Sequence, residues 1–176
     1  MNLNNKVKIG YELKSSWQEL DCKSIFFTYT KKTNNFNKLQ ALALKKNCDH
    51  IICDYSLKDK IKINKKINYL FSKDLNNYAI KCSKIFFKER IKIILVTGTD
   101  GKTSVAFSLY NNLNKSSINT CYIGTLGYYA NGKKIQSFLN TTPDLITIMN
   151  GIKSSVKIYK CKYLVIEASS IGYVEK

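Results

Sequence analysis

Apolar positions in the first half of the chain fall into short blocks and helical stripes. Ser24-Ile25-Phe26-Phe27-Thr28-Tyr29 and His50-Ile51-Ile52-Cys53 are β-rich runs that predict buried strands. Between them, the polar stretch Lys31 to Asn35 predicts a loop. Leu39, Leu42, Ala43 and Lys46 then share one face of a predicted helix. Leu75, Tyr78, Ala79, Cys82 and Phe86 recur at helical spacing, which predicts a helix over 74–87 with one apolar stripe.

The second half opens on a denser apolar run, Ile91-Lys92-Ile93-Ile94-Leu95-Val96, followed at once by a glycine loop. Val105, Leu109 and Leu113 mark a helix, and Asn119 to Ile123 a second strand. Asn131-Gly132, flanked by Tyr128-Tyr129-Ala130 and Lys133-Lys134-Ile135, is a hairpin turn signal. Thr142 can cap a helix with Pro143 at its first position. Tyr163-Leu164-Val165-Ile166 is a third strand, ending in Glu167. Alternation of strand and helix implies α/β architecture with a parallel sheet. The expected organisation is a small N-terminal α/β domain over 1–88, then the first part of a parallel-sheet domain over 89–176. The sequence reaches Lys176 soon after the third strand, so one sheet edge is expected to stay open.

Composition changes this picture little. A chain of 176 residues, 44% hydrophobic, holds one good core or two small ones. The formal net charge of +17 raises nucleic-acid binding as a reading. The lysines are dispersed, however, and Arg90 stands alone among them, whereas bidentate readers of phosphate and guanine favour arginine. No nucleic-acid partner is therefore expected. The six cysteines, at 22, 48, 53, 82, 121 and 161, form no CxxC pair. Reduced thiols and a cytoplasmic setting follow as the default, and no apolar run approaches the ~18 residues of a membrane span.

The sharpest chemistry lies in Val96-Thr97-Gly98-Thr99-Asp100-Gly101-Lys102-Thr103. Glycines let the backbone curl until several N–H groups point inward, and a helix N-terminus adds a positive dipole end. Gly98, Thr99, Asp100, Gly101, Lys102, Thr103 and Ser104 are the candidate ATP-binding residues. Lys102 can reach the terminal phosphates as the catalytic cation, and the Thr103 hydroxyl can bind Mg²⁺. Glu167 ends a strand at the same sheet edge, so its carboxylate can face the same ion. Read plainly, the run is a glycine-rich turn. Gly-Lys-Thr between strand and helix favours phosphate binding.

The usual first glycine of a phosphate loop is replaced by Val96. The form Thr-Gly-Thr-x-Gly-Lys-Thr resembles that of the Mur ligases and folylpolyglutamate synthases. Ile123-Gly124-Thr125-Leu126-Gly127, Asn140-Thr141-Thr142-Pro143-Asp144 and Glu167-Ala168-Ser169-Ser170-Ile171-Gly172 are similar, in order and spacing, to segments of the Mur ligase that adds the third peptide residue. These segments argue against the folylpolyglutamate synthases. The resemblance is strong over 91–176 and fainter over 11–88. There Leu13-Lys14-Ser15 takes the place of a Leu-Asp-Ser that contacts the uridine nucleotide.

The resemblance implies an ATP-dependent amide ligase of peptidoglycan precursor synthesis. Its substrates would be UDP-MurNAc-dipeptide and an amino acid, joined through an acyl phosphate, with ATP and Mg²⁺ as cofactors. It also implies substrate contacts by Ser15, Asn140, Thr141, Thr142, Ser169 and Glu175. Three departures stand out. Lys14 and Ser16 replace the aspartate and arginine flanking the serine, Ile171 replaces a histidine or glutamine, and Glu175 replaces a glutamine. The family's remaining central domain and third domain have no counterpart in 1–176. Three origins stay open: a fragment, a truncated gene product, or half of a split enzyme completed by a second polypeptide. In each the chain alone is expected to be inactive. The alternative from another class is a non-catalytic nucleotide-binding remnant.

Overall fold

The structure, a computed structural model, describes residues 10–83, 91–138 and 143–168. The chain divides into two compact units, Met1–Phe86 and Phe87–Lys176.

In the first unit, strands β1 (Glu12–Lys14), β2 (Ser24–Thr28), β3 (His50–Asp54) and β4 (Asn68–Ser72) form a parallel sheet in that order. Helix α1 (Thr33–Lys45) links β2 to β3, and α2 (Leu75–Ser83) follows β4. Every residue of β2 is buried, as expected of a parallel strand covered on both faces. Phe26, Phe36, Ala43, Ile51, Leu57 and Ile67 pack into one cluster. The expected loop at Lys31 to Asn35 is corrected: α1 begins inside it. Phe36 is fully buried and its N–H donates to Lys32 O at 3.0 Å, which draws the polar first turn onto the sheet. Lys46, expected on one helix face with Leu39, Leu42 and Ala43, is the exposed C-cap residue.

The second unit holds β5 (Lys92–Val96), α3 (Lys102–Lys115), β6 (Thr120–Gly124), β7 (Gly127–Ala130), β8 (Lys133–Gln136), α4 (Leu145–Lys157) and β9 (Tyr163–Glu167). The sheet order is β5-β9-β6-β7-β8, with β5, β9 and β6 parallel and β7 and β8 antiparallel additions. The mixed α/β architecture read from the sequence is the one found. Asn131 and Gly132, at φ 50° and 75°, make the expected hairpin turn between β7 and β8.

Alternation along β6 sorts the two cores. Cys121 and Ile123 join Leu164 and Ile166 on one face, where Ile148 and Ile152 of α4 pack. Tyr122 and Val165 join Ala106 and Tyr110 of α3 on the other. The helix marked by Val105, Leu109 and Leu113 is found as α3; Val105 is 59% exposed, and Ala106 and Tyr110 are buried. The aromatic rings around Tyr122 set this rotation. Phe107 lies edge-on to Tyr122 at 5.2 Å and to Tyr129 at 5.1 Å.

Two further expectations are corrected. The cap of α4 is Asp144, whose Oδ1 accepts from Ile146 N–H at 3.0 Å and Thr147 N–H at 3.2 Å. A carboxylate two residues closer to the helix displaces the threonine from that role; Thr142 itself lies outside the described residues. Cys121 and Cys161 are joined as a disulfide with Cα atoms 6.3 Å apart, so the six thiols are not all free. Cys48, Cys53 and Cys82 are free and buried, and Cys22 is free and exposed.

Candidate functional site

The glycine loop leaves the C-terminal end of β5 and enters α3 at Gly101. Gly101 sits at φ 72°, a left-handed conformation that costs a side chain but not a glycine. The first helical hydrogen bond runs from Val105 N–H to Gly101 C=O at 2.9 Å. The N–H groups of Lys102, Thr103 and Ser104 precede that bond, so they belong to the open first turn that favours an anion. Thr97, Gly98, Thr99 and Asp100 are exposed, and the Lys102 Nζ donates to Thr99 O at 2.8 Å. The ammonium is thus stationed over its own loop.

Glu167 ends β9, the strand hydrogen-bonded to β5, in register with Val96. Its side chain is buried, at 1% exposure, and its two oxygens are bound differently. Oε1 accepts from the Thr103 hydroxyl at 2.6 Å and the Thr125 hydroxyl at 3.0 Å. Oε2 accepts from Thr125 N–H and the Tyr122 hydroxyl, both at 2.9 Å. Burial opposes ionisation of this carboxyl. The hydrogen bonds from Thr103, the Thr125 N–H, Tyr122 and the Thr125 hydroxyl outweigh it and hold the pKa below the usual glutamate value. The same burial, with the neighbouring carboxylate, pushes the Tyr122 phenol far up, so it stays a donor.

Gly124 is what lets these groups meet. A Cβ there would lie 2.3 Å from the Tyr122 hydroxyl and 2.5 Å from Glu167 Oε2. The Gly-Thr-x-Gly segment is therefore a tight β6–β7 connection that delivers Thr125 to the carboxylate. Of the residues singled out in the sequence, the loop from Gly98 to Ser104 and Glu167 come together. Ser15 lies in the first unit, in the bend after β1. Asn140, Thr141, Thr142, Ser169 and Glu175 lie outside the described residues, as does Ile171. His50 is buried in β3, with Nδ1 paired to Asp49 Oδ1 at 2.5 Å. Tyr122 was missed. Its position two residues before a strand-end glycine, on the face of Val165 and Glu167, was the available signal.

This arrangement suits a nucleotide with a hard cation. Mg²⁺ takes oxygen ligands and keeps several waters, so one carboxylate and one hydroxyl converging beside a phosphate loop suffice. Among the described residues no group of three or more His, Cys, Asp or Glu gathers into a metal cage. Thr103 and Glu167 would hold the ion, and the loop N–H groups with Lys102 would hold the phosphates.

Residues 96–176 match the Mur ligase middle domain. Over that segment the chain is similar to the Mur ligases. The chain is 34% identical over 93 residues to UDP-N-acetylmuramoyl-L-alanyl-D-glutamate–2,6-diaminopimelate ligase of Helicobacter pylori, covering 53% of this chain and 21% of the relative. It is 29% identical over 137 residues to the ligase of the same name from Phocaeicola vulgatus, covering 76% and 27%. A solved structure of a UDP-N-acetylmuramoyl-L-alanyl-D-glutamate–2,6-diaminopimelate ligase superposes with a TM-score of 0.69 at 18% identity, over 92% of this chain and 32% of that one. MurF ligase from Thermotoga maritima, solved with ADP, gives 0.54 at 17% identity, over 97% and 34%. The two structures support the Mur ligase fold, and the chain spans only 21% and 27% of the two curated relatives.

Proposed function

We propose that this chain supplies the nucleotide-binding portion of an ATP-dependent Mur ligase that adds the third residue to UDP-MurNAc-L-Ala-D-Glu. The observation that carries the reading is the 2.6 Å contact between the Thr103 hydroxyl and Glu167 at the mouth of the glycine loop. In this reading Mg²⁺ and the loop N–H groups neutralise charge on the transferring phosphoryl group. Lys102 adds a cation to the same end of the loop. The substrate carboxylate is activated as an acyl phosphate, and the amine of the incoming amino acid displaces phosphate to form the amide. The reaction is cytoplasmic in this reading; no helix among the described residues is long and apolar enough to cross a membrane. The organisation proposed is a UDP-substrate-binding-like domain over 1–88 and the first portion of the central domain over 89–176. Ser15 of the first, and Asn140, Thr141, Thr142, Ser169 and Glu175 of the second, contact substrate.

One observation favours a larger assembly over a self-sufficient remnant. Among the described residues β5 pairs only with β9, and Ile93 and Leu95 on its face are 45% and 66% exposed. An apolar strand edge of this kind is a surface for further polypeptide, in cis or from a second chain. Calorimetry with ATP and Mg²⁺ tests the nucleotide reading. Lys102→Ala is expected to weaken binding at least several-fold, by removing a charge-assisted contact worth roughly 1.5–3 kcal/mol. Equal affinity in variant and parent would remove the loop from the account.

A further inference from the structure

Resting on the nucleotide site proposed above, we infer that Tyr122 is a positioning residue for Glu167. Its hydroxyl pins Oε2 and leaves Oε1 as the carboxylate oxygen offered to a divalent cation.

Among the described residues the carboxylate accepts four hydrogen bonds, and they divide by their freedom to exchange. Oε2 is held by a backbone N–H, from Thr125, and by the Tyr122 phenol. Neither donor atom can move off: the N–H is fixed in the β6–β7 connection, and the phenol oxygen is carried on a fully buried ring. Phe107 stands edge-on to that ring at 5.2 Å, with Tyr110 and Tyr129 each at 6.1 Å. These rings come from α3 and β7, so the hydroxyl is aimed by two elements besides its own strand. Oε1, in contrast, meets only the side-chain hydroxyls of Thr103 and Thr125 among the described residues. A hydroxyl can rotate its proton away and present a lone pair instead. One oxygen is therefore locked and the other is free to trade a hydroxyl proton for a cation. Mg²⁺ tolerates little departure from octahedral geometry, so a carboxylate that could swing would be a poorer ligand. Gly124 belongs to the same device, since its missing Cβ is the space in which the phenol meets Oε2.

The test compares nucleotide affinity with and without metal on the 1–176 chain, using β,γ-methylene-ATP as the probe. Calorimetry is run in chelator and again across a Mg²⁺ titration. Tyr122→Phe keeps the ring and removes the donor. It is expected to leave metal-free affinity unchanged and to weaken apparent Mg²⁺ affinity by roughly 10–100-fold, as losses of a ligand's supporting partner do. Gly124→Ala, which drives a methyl between the phenol and Oε2, is expected to give the same selective loss with Tyr122 intact. Thermal unfolding establishes that each variant is folded. Parent-like Mg²⁺ dependence in either folded variant overturns the inference. So does an equal loss with and without metal, which would make Tyr122 a packing residue alone. A parent chain whose probe binding ignores Mg²⁺ overturns the metal site itself, and this inference with it.

Discussion

β2 and β5 are two strands of five residues with similar apolar content and opposite surroundings. Ser24-Ile25-Phe26-Phe27-Thr28 is buried at every position, whereas in Lys92-Ile93-Ile94-Leu95-Val96 none is fully buried. Both runs carry the same local message, a strand that gains by losing water. β2 has β1 and β3 as hydrogen-bonded neighbours. β5 has β9 alone among the described residues, and only Ile94 and Val96 reach the α3 core. A strand's sequence thus reports how much it favours burial, and its neighbours decide whether burial happens. The exposed face of β5 also lies next to the functional loop, so what covers it would stiffen the loop's root.

Three substitutions grade this contrast. Phe27→Ala empties a fully buried position and is expected to cost about 3–5 kcal/mol in denaturant unfolding of the first unit. A cost under about 1 kcal/mol would mean that β2 is not the packed centre described.

Glu167→Gln comes next. It leaves the four donors facing a neutral amide and is expected to cost roughly 1.5–3 kcal/mol at neutral pH. The folded carboxyl has a pKa below its ordinary value of about 4.5, so its stabilisation is complete above that value and is lost as pH falls through the depressed one. The parent's melting temperature should therefore drop on acidification below about 4.5, and the Gln variant should show a shallower drop. Parallel acid limbs would show that Glu167 is not held ionised by its partners.

Leu95→Ala is the smallest, at no more than about 0.5 kcal/mol, because the side chain is 66% exposed. A cost near that of Phe27→Ala would reveal that β5 is covered in the 1–176 chain.

The strands legible in the sequence were the apolar runs β2, β3, β5, β6 and β9 and the hairpin pair β7 and β8 that flanks Asn131-Gly132. β1 and β4 escaped because Glu12–Lys14 is only three residues and Asn68–Ser72 is half buried. The start of α1 escaped because one buried ring, Phe36, outweighs a polar first turn. At the site, Lys102, Thr103 and Glu167 were legible because Gly-Lys-Thr and a strand-end carboxylate carry recognisable chemistry. Tyr122 was not, since a tyrosine inside a strand reads as core until a partner across 45 residues is known.

The central claim is that Thr103 and Glu167 form the cation end of a nucleotide site. Calorimetric titration of ATP into the 1–176 chain, with Mg²⁺ and in chelator, tests it most directly when repeated on Thr103→Val. That substitution keeps the side chain's shape and removes only the hydroxyl. The account predicts that Mg²⁺ strengthens ATP binding by the parent, and that Thr103→Val binds ATP equally with and without the metal. Undiminished Mg²⁺ dependence in Thr103→Val, or no ATP binding by the parent under either condition, would contradict it.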